Sequence, residues 1–318
     1  MFLDSIKITA VAVAQIFILG AIGYFLVRKK FLSAEGLNAI SRLVIEVTLP
    51  VLIFCQLLKD FSFRLYPNWW IFPLMSIAIN AAGLAFGLLF IGFFKGLQHR
   101  LQFLSLVTFQ NSGYLPLALI AALLPAEKVG PMFIYLFLFL TGFNLVMFSA
   151  GVHLLCFHKN RRLELGSLFS PPVIATLVSL VIIFFGLNKL VPPDLLKPLR
   201  LLGDCTLPLA MLVVGGSLAQ INLRSINPQA IFLMSLLKLL ILPGLGLWLI
   251  LKLKLPQLVG LFILIELAMP PATLLSVITG HYHKEDLLVS QGIFFGHLLS
   301  ILTIPLFLSL YFALVMIQ

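Results

Sequence analysis

The sequence predicts an all-helical integral membrane protein of ten spans, built as two inverted five-helix repeats whose fourth helices are broken and crossed. Three observations predict it. Charge is scarce: 21 Lys and Arg with 11 Asp and Glu make up 10% of the 318 residues, against roughly 25% in a soluble domain. Apolar residues make up 61% of the chain, 29 residues are Phe, and mean hydropathy is +1.13. A soluble globule of this size has no means of covering such a surface, so soluble enzymes are excluded as a class. Second, the apolar runs are continuous over the ~20 residues a spanning helix needs, rather than alternating as in barrel strands. Helix is then the remaining way to satisfy a spanning backbone in lipid. Third, the residues that interrupt these runs recur at a nearly constant offset.

The spans follow in order. The first, 6–28, stops at Arg28, Lys29 and Lys30; no small-residue cleavage site precedes Arg28, so it reads as a retained span rather than a signal peptide. The second, 37–59, carries Glu46, Thr48, Leu49 and Pro50, and the proline predicts a kink. The third, 68–94, carries Asn80. The fourth, 101–123, is interrupted by Gln110, Asn111, Ser112 and Gly113 ahead of Pro116. The fifth is 130–157, which closes a first repeat of 1–157; a charged connection at 158–169 leads to the second repeat, 170–318. There the sixth span is 170–188, and the seventh, 197–220, carries Asp204, Thr206, Leu207 and Pro208. The eighth, 229–251, carries Lys238; the ninth, 255–279, carries Glu266, Pro270 and Pro271; the tenth, 285–315, carries His297.

The repeat is read from spacing. Glu46, Thr48, Leu49 and Pro50 precede Asp204, Thr206, Leu207 and Pro208 by 158 residues each, and Asn80 precedes Lys238 by the same distance. The segment from Asn111 to Pro116 lies 155 residues before the one from Glu266 to Pro271. Five helices per repeat is an odd number, so the second repeat inserts upside down, the architecture of secondary transporters. The net charge of +10 comes in ones to threes between apolar runs, which excludes nucleic acid and fits loops facing anionic lipid. Loop Lys and Arg divide almost evenly between the two sides. The clusters at Arg28, Lys29 and Lys30 and at Lys159, Arg161 and Arg162 share one side, which predicts a multi-pass protein of the cell membrane with both termini non-cytoplasmic. Cys55, Cys156 and Cys205 are odd in number and lie in or beside apolar runs, where they are expected as buried small hydrophobes.

The fourth and ninth spans carry the chemistry. Proline removes a backbone donor and clashes with the turn before it, so each helix is expected to open there. Freed backbone groups are tolerated at membrane depth only against protein or a water-filled cavity, and paired breaks in corresponding spans point to a substrate site. Half-helix N-termini attract anions, so a carboxylate is a natural ligand, with Asn111, Ser112, Gly113, Pro116, Pro270 and Pro271 around it. Glu266 is an acid inside an apolar run. It is expected either to ligate a coupling Na⁺ with carbonyls of the unwound segment and Asn111 or Ser112, or to carry a coupling proton; plain packing is the third reading. Glu46, Asp204 and Lys238 are candidate supports. Glu46 can pair instead with Arg42, Asp204 can face headgroups, and Lys238 can meet either acid or snorkel outward. His297 is read as a packing or proton-shuttling residue, and Gln15, Asn80, Asn144 and Gln291 as interhelical hydrogen-bond groups. No Walker A, HExxH, nucleophile-elbow or redox CxxC run occurs, so neither a cofactor nor a metal beyond a coupling ion is expected, and no enzyme chemistry.

These motifs resemble a known family. Asn111, Ser112, Gly113, Tyr114, Leu115 and Pro116 resemble the first crossover motif of auxin efflux carrier family transporters, and Ala268, Met269, Pro270, Pro271 and Ala272 the second. Leu49 with Pro50, and the run from Leu298 to Pro305, resemble that family's second and last helices. The resemblance covers the whole chain and departs at Leu115, where Gly is common. It implies crossed helices in a transport domain moving against a scaffold, elevator-type alternating access, a homodimer, and small carboxylates such as malate, malonate or auxin-like acids. The fold is shared more distantly with bile acid–sodium symporters, whose sodium-ligand stretch resembles Glu266, Leu267, Ala268 and Met269; this resemblance implies Met269 as a coupling-ion position beside Glu266. A sodium-coupled, bile-acid-like organic anion symporter and a passive anion channel are the alternative readings.

Overall fold

The computed structural model describes residues 2–151, 169–223, 226–281 and 287–315. Cys156, Lys159, Arg161, Arg162, Arg224, Lys284 and the connection predicted at 158–169, apart from Phe169, lie outside the described residues. Among the described residues the regular elements are helices, and the extended pairing is a single bridge between Gln110 and Pro271. We label the helices α1 (Phe2–Arg28), α2 (Ala34–Asp60), α3 (Ile71–Leu89), α4 (Leu97–Thr108), α5 (Tyr114–Leu123), α6 (Ala126–Ser149), α7 (Pro171–Phe184), α8 (Asp194–Ala219), α9 (Pro228–Lys252), α10 (Gln257–Ala268), α11 (Leu274–His281) and α12 (Leu287–Val315). Seven of these, α1, α2, α3, α6, α8, α9 and α12, are long and apolar enough to cross a membrane; α5, α7 and α10 are shorter and apolar.

The prolines shape the long helices. In α2 a π-helical turn, Val44–Thr48, precedes Pro50, and in α9 one at Leu236–Ile241 precedes Pro243. Proline cannot donate to the carbonyl four residues back and its ring crowds that carbonyl; a widened turn relieves both. The kink expected at Pro50 therefore takes the form of a π turn. In α8 the interruption falls at Cys205, and Pro208 sits harmlessly in the first turn of the segment Thr206–Ala219. Cys205 is exposed at this joint, which corrects the expectation that it is buried; Cys55 is buried.

Glycines allow two close helix pairings. A Cβ on Gly215 of α8 would overlap the backbone of Gly20 in α1, and one on Gly23 would overlap Leu212. A Cβ on Gly142 of α6 would overlap Pro73 and Ser76 of α3. Without a hydrophobic drive between helices in lipid, such backbone contact is what holds them together. Around these pairs, α2 packs on α7 and α8, while α3 packs on α4 and α12 packs on α10 and α4. α1 also contacts α12, where Thr9 Oγ1 and Ser309 Oγ are hydrogen-bonded at 2.7 Å.

Candidate functional site

Two helical runs are interrupted, and the interruptions meet. α4 ends at Thr108 and α5 begins at Tyr114; α10 ends at Ala268 and α11 begins at Leu274. The segments 109–113 and 269–273 lie antiparallel. The Asn111 N–H donates to Pro270 O at 2.8 Å, and the Ala272 N–H donates to Phe109 O at 3.0 Å. Each break thus satisfies backbone groups that the other has freed, as a non-helical backbone away from water requires. Pro116 lies at the third position of α5, where a missing N–H costs nothing, so the break falls ahead of the proline rather than at it.

Four half-helix ends converge here, with partial positive charge at the starts of α5 and α11 and partial negative charge at the ends of α4 and α10. Lys238, almost fully buried on α9, meets the negative end of α4. Its Nζ donates to Val107 O at 3.0 Å, to Thr108 O at 3.4 Å and to Gln110 Oε1 at 3.2 Å. Lys238 therefore meets neither Glu46 nor Asp204, contrary to that expectation, because main-chain carbonyls at the break supply its acceptors. Glu266 is fully buried in the last turn of α10, with Ser112, Lys238 and Gln110 as its polar neighbours. Among the described residues neither of its carboxylate oxygens has a hydrogen-bond partner, and the same holds for Ser112 Oγ and Gln110 Nε2. A carboxylate at the negative end of its own helix that makes no hydrogen bond is an acceptor for a cation or a proton.

A cavity of ≈ 170 Å³ opens beside the breaks, lined by Asn111, Ser112, Gly113, Asn144, Ser217 and Thr273 among others. Further lining residues come from the early part of α2, the end of α6, the start of α7, the later part of α8 and the first half of α11. A family model described as membrane transport protein matches the chain twice, over residues 8–159 and 155–308. The chain belongs to this membrane transport protein family. It is the auxin efflux carrier family that the motifs resemble, and the double match makes the chain two repeats of one unit. Over 115 residues the chain is 27% identical to an uncharacterized transporter of Schizosaccharomyces pombe, a match covering 36% of this chain and 25% of the yeast protein.

In this family member the predicted residues separate into groups. Asn111, Ser112 and Gly113 line the cavity. Among the described residues Pro116, Met269, Pro270 and Pro271 are not part of its lining; they shape the breaks behind it. Leu115, where the motif departs from the family pattern, is buried at 2% exposure and is not part of the cavity lining. Glu46 pairs with Arg42 at 3.1 Å, its side chain half exposed, and Asp204 lies 4.0 Å from Arg200, also exposed. Neither reaches the breaks. Asn80 donates to Ser76 O within its own helix, so it is not the interhelical group expected of it. Gln291 donates to Asn222 O at 3.4 Å, a carbonyl of the loop after α8 rather than of another helix. Four participants were not legible as such: Gln110 as an acceptor for Lys238, Asn144 and Thr273 as cavity wall, and His297 as a partner of Asn111 at 3.3 Å. His297 could have been picked out as a polar ring in an apolar run, but its partner could not.

Proposed function

We propose that the chain is a secondary active transporter of a small organic anion, working in the cell membrane by elevator-type alternating access. In this reading ten helical spans form two inverted five-helix repeats, with α4–α5 and α10–α11 as the crossed broken helices. α1, α2, α7 and α8 form the scaffold, and the remaining helices form the transport unit. The observation that carries it is the pairing of two breaks by main-chain hydrogen bonds beside a polar cavity. The first N–H groups of α5 and α11 lack partners within their own helices and face a carboxylate well. No fixed cation in the cavity wall is then needed.

Coupling is assigned to Glu266, and the proton is the preferred coupling ion. Lys238 already takes Val107 O, Thr108 O and Gln110 Oε1, acceptors that a Na⁺ ion would otherwise use, and its ammonium opposes a second cation nearby. Sodium is the second reading, favoured by the unpartnered oxygens of Glu266 and Ser112. Purified protein in liposomes, given a panel of labelled mono- and dicarboxylates with imposed pH or Na⁺ gradients, tests both. Saturable uptake driven by a pH gradient is expected for at least one acid. Uptake driven by Na⁺ alone selects the second reading, and unsaturable currents select a channel.

A further inference from the structure

We propose that His297 is a positioning residue that sets which side of the Asn111 amide the cavity ligand meets. The proposal rests on the transport reading and goes beyond it. His297 is fully buried on α12, and its Nδ1 lies 2.8 Å from Ile293 O. A carbonyl oxygen only accepts, so Nδ1 carries the proton and donates. In the neutral ring Nε2 then holds a lone pair and only accepts. Asn111 Nδ2 lies 3.3 Å from the imidazole Nε2. The amide nitrogen is therefore the donor; the flipped amide would set its carbonyl oxygen against the ring lone pair. A carbonyl on α12 fixes the tautomer, the tautomer fixes the amide, and the amide lines the cavity. The helix is held close for this: a Cβ on the adjacent Gly296 would stand 2.5 Å from Pro271 Cδ, so α12 lies directly against the break.

The chemical consequence concerns selectivity. One N–H of Asn111 is committed to His297, and its carbonyl oxygen is turned away from the ring. The ligand thus meets an acceptor at Asn111 as well as a single remaining N–H. A bare carboxylate offers only acceptors and gains nothing from that oxygen. An acid with a hydroxyl donor beside its carboxylate can donate to it. A buried acceptor left without a donor disfavours the analogue that lacks one, which is a stronger means of selection than shape. His297 exerts this selection without standing in the cavity wall.

The test compares pairs of acids that differ by one hydroxyl, with uptake measured in proteoliposomes for the natural chain and for His297→Phe, His297→Gln and Asn111→Ala. The natural chain is expected to show a KM about tenfold lower for the hydroxylated member. His297→Phe should bring that ratio to about one, the loss of one hydrogen bond, with kcat little changed. His297→Gln, whose amide oxygen can accept from Asn111, should restore most of the preference. Thermal unfolding in detergent reports folding, and His297→Met replaces the Phe variant if that variant does not fold. Selectivity that survives both ring replacements but disappears in Asn111→Ala overturns the role of His297, as does a natural chain with no preference. An Asn111→Ala variant with unchanged KM for every acid instead overturns the placement of the substrate at the breaks.

Discussion

Glu266 is the residue whose environment is hardest to reconcile with packing alone. A buried carboxylate without a partner costs several kcal/mol, yet it sits among two other unpartnered polar groups, Ser112 Oγ and Gln110 Nε2. Glu266→Gln keeps the shape and removes the exchangeable charge. Uptake of the transported acid is expected to lose its dependence on the pH gradient, while the melting temperature holds or rises. Retained gradient dependence in this variant would move coupling elsewhere. At this scale the sequence reveals the exceptional residues, because a charge in an apolar run is visible without any structure. It does not reveal their partners. Gln110 and Lys238 are 128 positions apart, and Asn111 and His297 are 186 apart. Glu46 and Asp204 illustrate the reverse case: conspicuous by their repeated spacing, they are surface acids paired one turn away.

Among the elements, the broken helices and the glycine contacts divide the work. The breaks were legible from their prolines, and the second falls at Pro270 and Pro271, but the first opens at 109–113, ahead of Pro116, where the segment 269–273 supplies hydrogen bonds. The π turns in α2 and α9 were likewise not legible beyond the expectation of a kink, since a widened turn depends on how the neighbours pack. The glycine contacts make a sharper statement about stability. Gly215→Val should force α8 away from Gly20 of α1, costing about 1–3 kcal/mol or more as overpacking. Gly92→Ala is the matched control, because nothing lies within 4 Å of a Cβ there. Melting temperatures of the two purified variants decide it: a fall for Gly215→Val with none for Gly92→Ala is expected, and equal values would remove the close contact as a stabilising feature.

For the whole molecule, a second cavity of ≈ 420 Å³ complements the first. It lies between the opposite ends of α2, α6 and α8, lined by Gln56, Asp60, Tyr66, Glu127, Gly130 and Arg200. Gln56 donates a short hydrogen bond to Asp60 there, and burial with the nearby Tyr135 and Asp60 pushes the Tyr66 phenol up, keeping it a neutral donor. The two cavities lie at opposite ends of the same helices, and the proposed alternating access gives each a different side of the membrane. In a background without Cys55, Cys156 and Cys205, Gly113→Cys should react with an impermeant thiol reagent only from the side of Arg28, Lys29 and Lys30, and Gly130→Cys only from the other. Labelling of both from one side would refute the opposed arrangement. The repeat at this scale was legible because its offset is nearly constant along the chain; the pairing of α1 with α8 and of α3 with α6 was not, because it is carried by glycines with no distinguishing pattern. The bridge between the breaks also bears on how the protein is made. Phe109 O and the Asn111 N–H find their partners at Ala272 and Pro270, which leave the ribosome long after α4 and α5. The first repeat must therefore wait in the bilayer with its central backbone unsatisfied, or with the insertion machinery covering it, until the second repeat arrives. Assembly of the two halves is then a late, committed step of biosynthesis, and a chain cut short in the second repeat leaves a first half fit for degradation rather than storage.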